Sequence, residues 1–569
     1  MNDIRRTILW VIFGISMVML WDQWQVYNGR KPTFFPGSTT TAPASTPSGA
    51  ASATGVPTPA SAAAGGTLPG SASAPVAAAN AAPHERFEVS TDVLKLTFDT
   101  EGGSLVRSEF LRHADKGGNV VLLDDSKDRV YLAQTGVIGA GANGGFPTHK
   151  TIMSASGARS LKEGEDQLVL TFTSPEVGGI KLVKTYTLRR GAYDIAVKHE
   201  LTNTSGAPLN PQLYLQLVRD GNKPEGESSF YSTFTGPAVY TAAKKYQKVE
   251  FKDIKSKKAD YEHQANEGYI AMVQHYFVSA WLLPEGLPRT IALDGVDIGS
   301  GVSDCCYRAA TITPIEALAP GASKSIEAKL FVGPQQEKML ETLSPGLELV
   351  KDYGWLTIIA KPLYWLLDKL HGVIQNWGWA IVALVFLLKV AFYWLNEKGY
   401  ASMAKMKAIN PKIMEMRERL KDNPQQMQQE MMRIYREEKV NPMGGCFPIM
   451  IQIPVFIALY WVLLSTVEMR GAPWALWIHD LAAPDPYYVL PLVMTLTTLL
   501  QTALKPAPPD PMQAKMMWIM PLMFSVMFFF FPSGLVLYWI TNNVLSIAQM
   551  WVINTRMGVP PQFNLPKFK

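Results

Sequence analysis

The chain has 569 residues, a formal charge of +5 and three cysteines. That length calls for more than one domain, the charge is too small to argue for nucleic acid, and three cysteines are too few for a disulfide framework or a four-ligand zinc site. Apolar residues are concentrated in the first thirty positions and after about residue 350, the pattern of a membrane protein carrying a soluble domain. Cys305 and Cys306 are adjacent, a spacing that strains any mutual disulfide, and Cys446 opens an apolar span. All three read as structural.

Residues 1–27 place Arg5 and Arg6 before an apolar run that ends in Trp21, Trp24 and Tyr27. No small-residue cleavage site follows, so the segment reads as an uncleaved anchor with its arginines in the cytoplasm. Residues 28–84 are nearly all Ala, Pro, Ser, Thr and Gly. They bury too little to offset the entropy of ordering them and read as a flexible tether.

From 85 to 335 the apolar period becomes two. Tyr193, Ile195, Val197 and Leu201 alternate with Asp194, Lys198 and Glu200; Leu94, Leu96 and Phe98 do the same, as do Ile326, Ala328, Leu330 and Val332. Many such runs separated by Gly, Pro and Asn turns predict one large antiparallel β-sandwich. His199 and Glu200 are sequence neighbours and so face opposite sides of a strand, which spoils them as an acid and base pair. His199 reads as an inward, satisfied histidine, and no active site is found here.

Residues 347–371 carry Trp355, Ile358, Ile359, Leu363, Leu366, Leu367 and Leu370 at helical spacing, with Pro362 expected to kink the helix. The segment is too charged to span, and the expectation is an amphipathic helix at the outer membrane interface; the bland alternative is a domain-packing helix. Trp377–Asn396 then reads WGWAIVALVFLLKVAFYWLN, long and apolar enough to cross a bilayer but carrying Lys389. At about 1.5 Å per residue, Lys389 lies roughly 18 Å from Trp377 and roughly 10 Å from Asn396. A charge at such depth costs at least ~2.5 kcal/mol. It either snorkels to the nearer interface or faces a water-filled cavity.

A Lys- and Arg-rich stretch, 397–441, follows, and the positive-inside rule puts it in the cytoplasm. Ile409, Ile413, Met416 and Leu420 form one stripe, Asn423 and Pro424 a helix start, and Met427, Met431 and Ile434 a second stripe. This is a helical hairpin. Met416, Met427 and Met431 read as its core, while Met403, Met406, Met414 and Met432 are left open as adaptable surface. Further spans are expected at 443–467, 487–504, 516–531 and 535–553, with Pro532, Ser533 and Gly534 allowing only a tight outer turn. With the anchor and 377–396 that makes six spans, both ends cytoplasmic.

Asn542, Ser546 and Gln549 share one face of the last span, and Thr495, Thr498 and Thr502 share a face of the fourth, with Gln501 beside them. Gln452 and Ser525 add to these. Polar residues also hold membrane helices together at ~0.6 kcal/mol per contact, which accounts for one stripe; two stripes and a buried cation favour a wetted groove. The spans are also short: sixteen residues from Met516 to Phe531 give roughly 24 Å of helix, against about 30 Å of hydrocarbon.

NPMGGCFPIMIQIPVFIALYWVL (Asn441–Leu463), FPSGLVLYWITNN (Phe531–Asn543), ASMAKMKAINPKIMEMRERL and ALWIHDLAAPDPYYVLP resemble the YidC family of membrane protein insertases, related to the Oxa and Albino proteins. The resemblance runs from Tyr353 to the end, and the anchor, tether and β-domain resemble the Gram-negative form. It implies a multi-domain membrane protein: an all-α six-span membrane region with a cytoplasmic helical hairpin, and a periplasmic all-β supersandwich similar to galactose mutarotases. It also implies nascent membrane proteins as clients, the ribosome, the SecYEG translocon and the SecDF accessory complex as partners, the inner membrane as location, no cofactor and no catalysed chemistry. Many relatives carry an arginine where Lys389 stands, so bidentate capture of a carboxylate is lost here while attraction is kept. YWLN, Tyr393–Asn396, lacks the Pro-containing turn common in relatives, and the helix is expected to run on slightly further.

The expected groove residues are Lys389, Gln452, Thr495, Thr498, Asn542, Ser546 and Gln549. Ile453, Pro454, Phe456, Tyr538 and Trp539 would form a hydrophobic slide, and Arg556, Lys567 and Lys569 a short basic tail. Two other classes stay in view: a secondary transporter, which should show paired repeats and a midplane ion site, and a membrane-anchored carbohydrate-binding protein, with function concentrated in 85–335.

Overall fold

The period-two alternation becomes strands from Arg86 to Pro334 in the structure, a computed structural model. It describes residues 55–57, 84–115, 118–139, 145–224, 233–420, 423–438, 447–505, 511–556, 558 and 563, a few of the helical ones by backbone alone. The anchor 1–27, most of the tether, Cys446, Lys567, Lys569 and the side chains of Met403 and Trp355 lie outside the described residues.

Two antiparallel sheets face each other. The ten-stranded sheet runs, in spatial order, through strands beginning at Arg86, Leu94, Ser104, Val130, Gln212, Tyr307, Arg289 and Gln264, with two short strands off this path. The nine-stranded sheet runs through strands beginning at Lys245, Gly236, Tyr269, Phe277, Ser323, Asp194, Ile180, Gln167 and Ser154. Inward residues such as Leu96, Phe98, Phe172, Val197, Leu215 and Leu330 close a single core between them. Cys305 and Cys306 lie in the loop between the strands Arg289–Gly295 and Tyr307–Pro314, with Cys306 buried.

Polar side chains also cross that core. Lys184, fully buried, donates to Gly102 O at 2.6 Å and Thr135 O at 2.7 Å, and Tyr186 donates to Gly103 O at 2.7 Å. His199, paired opposite Lys184 across the strands, is inward and buried, with Nε2 3.0 Å from Thr135 Oγ1. Glu200 is half-buried and pairs with Lys198 at 3.4 Å. Burial pushes the Lys184 ammonium down to about 7 and the His199 imidazole, also repelled by Lys184, down to about 3.

Besides the short α1 (Phe251–Lys255) and α2 (Glu337–Leu343), the helices are α3 (Thr357–Ile374), α4 (Trp377–Ala391), α5 (Tyr393–Arg419), α6 (Pro424–Glu437), α7 (Phe447–Ser465), α8 (Val489–Leu504), α9 (Pro511–Met527) and α10 (Ser533–Arg556). The helix expected at 347–371 starts only at Thr357: residues 347–350 and 354–356 make separate 3-10 turns, and Gly354, at φ +68°, breaks the run. Ala360, Leu363, Tyr364 and Leu367 of α3 are buried against α4 and α7, while Ile358 and Trp365 stay exposed.

A joint fixes the β-domain on the helices. Tyr353 donates to Glu337 at 2.6 Å, and Tyr364 to Glu468 at 3.0 Å. Between them the buried Lys351 ammonium lies 3.7 Å from the Tyr364 ring centroid and 3.8 Å from Glu468. His275, which burial holds neutral by lowering it to about 4, donates from Nε2 to Leu464 O at 2.9 Å.

The expected span 377–396 does not run on. It breaks at Phe392, and the continuation Tyr393–Ser402 is bent from it by 63°. Among the described residues α10 alone is long and apolar enough to cross a membrane unaided; the bent pair passes the same test together, and α7, α8 and α9 are apolar but shorter. Exposed large apolar side chains nevertheless divide sharply. The β-domain shows only Leu111 and Val169 among the described residues, whereas the helices expose Trp379, Phe386, Val390, Leu496, Ile519, Leu522, Phe524 and Val526 among others. Such helices suit a hydrocarbon solvent and not water.

In the hairpin Ile409, Ile413 and Met416 are buried, with Met406, Leu420, Met427, Met431 and Ile434 packed on them, and Met414 and Met432 half-exposed. Asn423 caps α6 by accepting from Gln426 N at 3.2 Å, with Pro424 at the first turn. The first arm starts at Tyr393 and not at 397, which brings Asn396 into it.

Lys184 generates a pH prediction. Its folded value, about 7, lies below its ordinary 10.5, so between those values the unfolded chain binds a proton that the folded domain does not. Stability therefore rises with pH through that window and is lowest below pH 7. The wild-type β-domain should gain about 2 kcal/mol from pH 7 to 9 relative to Lys184→Met, read as denaturant midpoints of the full chain; parallel pH profiles for the two proteins would contradict the assignment.

Candidate functional site

Four helices bring the polar residues together. α10 packs on α4 and α8 and touches α5 and α7. The start of α10 is held by the preceding loop, where Ser533 N donates to Ala483 O at 2.8 Å and Gly534 N to Leu481 O at 2.9 Å. These bonds satisfy two donors that a helix N-terminus leaves free. Asp485 does the same for α8, accepting from Leu490 N at 2.7 Å and from Trp477 Nε1 at 2.9 Å. Trp474 of this loop lies so close to Gly378 that a Cβ there would sit 2.2 Å from its ring. Only glycine lets α4 approach the loop.

With α10 placed, Asn542, Ser546 and Gln549 form one face towards α4, α5 and α7, and each takes a partner. Lys389 Nζ donates to Ser546 Oγ at 2.8 Å, and that hydroxyl donates to Asn542 O at 2.7 Å. Gln452 Nε2 donates to Asn542 Oδ1 at 3.2 Å. Gln549 Nε2 donates to the Lys389 backbone carbonyl at 2.8 Å, while its Oε1 accepts from Asn396 Nδ2 at 3.0 Å. The Lys389 carbonyl belongs to the last turn of α4, where carbonyls lack intrahelical donors. Gln549 thus seals the break that bends the chain into α5.

Lys389 is 6% exposed and points into the helices, not along a snorkelling path to the surface. Its one hydrogen-bond partner is a neutral hydroxyl, and among the described residues no carboxylate pairs with it. Beside it opens a small recess, with about 20 Å³ of space for water-sized molecules, lined by Val385, Leu388, Lys389, Phe392, Asn396, Gln452, Val455, Tyr538 and Asn542. Its lining is mainly apolar, with Lys389, Asn396, Gln452 and Asn542 as the polar side chains.

Of the seven residues expected in the groove, Lys389, Gln452, Asn542, Ser546 and Gln549 form this network; Thr495 and Thr498 do not. Thr495 Oγ1 bonds back to Pro491 O at 2.8 Å within its own helix. Thr498 bonds to Met494 O and accepts from Asn543 Nδ2 at 2.8 Å, and Asn543 also reaches Thr497 Oγ1 at 3.2 Å. This is a second polar cluster, between α8 and α10, on the side that Asn543 faces. Successive helical residues are about 100° apart, so Asn542 and Asn543 serve different neighbours. The TNN triplet carried that signal, whereas nothing in YWLN marked the bend that recruits Asn396.

The expected slide is partly assembled. Phe456 stacks on Tyr538 at 5.8 Å and meets Trp539 edge-on at 4.7 Å, and Tyr538 borders the recess. Ile453 is 48% exposed on the outer side of α7, with Pro454 half-buried beside it. Arg556 closes the far end of α10 against Tyr393 OH at 3.4 Å.

The family described as YidC periplasmic domain matches residues 86–366, and the family described as 60Kd inner membrane protein matches 369–559. The membrane protein insertase YidC of Cupriavidus taiwanensis is 53% identical over 560 residues, covering 98% of both chains. Those of Ralstonia nicotianae and Bordetella pertussis are 52% and 51% identical, also over 98% of both chains. Two families that together match nearly all residues from 86 to 559, and relatives at this identity along the whole length, show that the chain belongs to the YidC family of membrane protein insertases, inner-membrane proteins with a periplasmic β-domain.

Proposed function

We propose that the recess at Lys389 receives the polar segment of an entering client and that the Lys389 ammonium attracts its carboxylates. The observation that carries this reading is a buried cation bonded to one neutral hydroxyl. An ammonium has three donors, so two remain for a visiting anion. In surroundings of low dielectric constant that attraction is far stronger than in water.

The basic hairpin α5 and α6 supports a cytoplasmic mouth by the positive-inside rule, and Lys389, near the α5 end of α4, lies towards that side. Both termini are then cytoplasmic and the β-domain outside. The client's apolar helix leaves past Phe456, Tyr538 and Trp539 into lipid. Each large apolar side chain it buries contributes about 1.5–3 kcal/mol, so a few offset the transient passage of a charged end. The short α8 and α9 favour a locally thinned bilayer, which shortens that passage. The hairpin, with Met414 and Met432 exposed, would meet the chain leaving the ribosome, and the SecYEG translocon and SecDF would supply clients that need them. Partitioning drives the process, with no covalent step.

Cell-free insertion of a single-span client with an acidic outer tail into liposomes holding this protein tests the assignment. Lys389→Ala and Lys389→Glu should lower insertion about tenfold, a loss of about 1.4 kcal/mol, and neutralising the client's acidic residues should restore it. Unchanged insertion by both variants would overturn the role of Lys389. A second expectation concerns stability: Lys389→Met removes a buried charge that has no acidic partner and should stabilise the helical region in detergent by about 2 kcal/mol. A lower unfolding midpoint for Lys389→Met would mean that the ammonium holds the helices together.

A further inference from the structure

The second face of the ten-stranded sheet is covered at its centre. Strands Val130–Ile138, Gln212–Arg219 and Tyr307–Pro314 are neighbours there, and residues alternating with the inward set point to the opposite side. On a half-solvated sandwich these would meet water. Instead Gln216 and Tyr214 are fully buried, Arg308 is 4% exposed, and Ile138 and Ile312 are similarly covered.

Part of that cover is a piece of the tether. Gly55 O accepts from Arg308 Nη1 at 2.8 Å and from Gln216 Nε2 at 3.3 Å. Both donors are held in place independently: Arg308 grips Asp294 through Nε at 2.9 Å and Nη2 at 2.5 Å, and Gln216 Nε2 also reaches Gln134 Oε1 at 2.9 Å. Val56 packs on Ile138, Tyr214 and Ile312, and Pro57 is buried. Gly55 adopts φ +65°, with Ile298 and His149 beside it, a backbone region that β-branched residues avoid. Among residues 28–84, this is the one place where a proline follows two positions after a glycine.

We infer that the outer face of the ten-stranded sheet, around Gln216 and Arg308, is a binding site for a Gly-apolar-Pro peptide, and that the chain's own residues 55–57 are its resident ligand. Each part of the triplet is read separately: the glycine by its left-handed backbone and its carbonyl, the valine by an apolar patch, the proline by burial. A charge-assisted bond from a preorganised guanidinium to a carbonyl is stronger than a neutral one. Since the ligand is tethered, its effective concentration is of millimolar order, and a weak intrinsic affinity keeps it seated. Docking pins the tether near its middle and shortens the leash between the anchor and the β-domain. This inference stands independently of the Lys389 reading.

Disulfide trapping in the full chain, reconstituted in lipid nanodiscs, tests it. Val56→Cys with Ile138→Cys should cross-link at least tenfold faster than Ala63→Cys with Ile138→Cys, the specific bond being identified by mass spectrometry. Both pairs share the sheet substitution, so any loosening of the sheet affects them alike. Adding Gly55→Val, which alters only the tether, should slow the first pair at least fivefold. A synthetic peptide of residues 51–60 at several millimolar should slow it too, and the same peptide carrying Gly55→Val should not. Equal rates for the two tether positions, indifference to Gly55→Val, or equal competition by the two peptides would overturn the proposal.

Discussion

The helical region is arranged around one costly group, the Lys389 ammonium, buried and bonded to Ser546 with no acidic partner among the described residues. A charge in that position is tolerated only where polar groups or water surround it. Asn542, Ser546 and Gln549 recur on one face of α10, and that face must turn towards α4. The turn is fixed from the N-terminal end of α10 by loop 472–486, whose carbonyls hold the start of α10 and whose Trp474 rests on Gly378. The site depends on a packing contact at the opposite end of the same helices.

The bend at Phe392 belongs to the same constraint. Ending α4 there leaves carbonyls to be satisfied, and Gln549 reaches one of them while also binding Asn396 at the start of α5. One glutamine thereby links the end of the helix that carries Lys389 to the first arm of the hairpin. A client arriving at the hairpin would meet an element directly joined to the recess.

Much of this was legible in the sequence. The two-residue period gave the β-domain because each strand buries one face, and His199 could be placed inward from its neighbours alone. The hairpin seam, its Asn423 cap and the polar stripe at Asn542, Ser546 and Gln549 follow from helical spacing. Other features depend on tertiary contacts that no local pattern records. Thr495 and Thr498 share a stripe, yet α8 faces Asn543 and not Lys389, so helix rotation separated them from the Lys389 network. Phe392 carries no proline or glycine to announce a break. Lys184 alternates in register with apolar neighbours, but only the fold shows two carbonyls from the opposite sheet waiting for it. Gly55–Val56–Pro57 lies in a segment whose composition argues for disorder, and its docking depends on side chains from strands far away in the chain.

The most direct test of the central claim is whether a client's acidic segment visits the recess. A ribosome-bound client bearing a cysteine next to its acidic residues would be presented to Gln452→Cys, a position on the recess wall that leaves Lys389 in place. The account predicts a disulfide between the two that weakens when the client's acids are neutralised or when Lys389→Ala is added. Cross-linking equally strong with a neutral client and without the lysine would show that the recess receives chains without electrostatic capture, and would contradict the account.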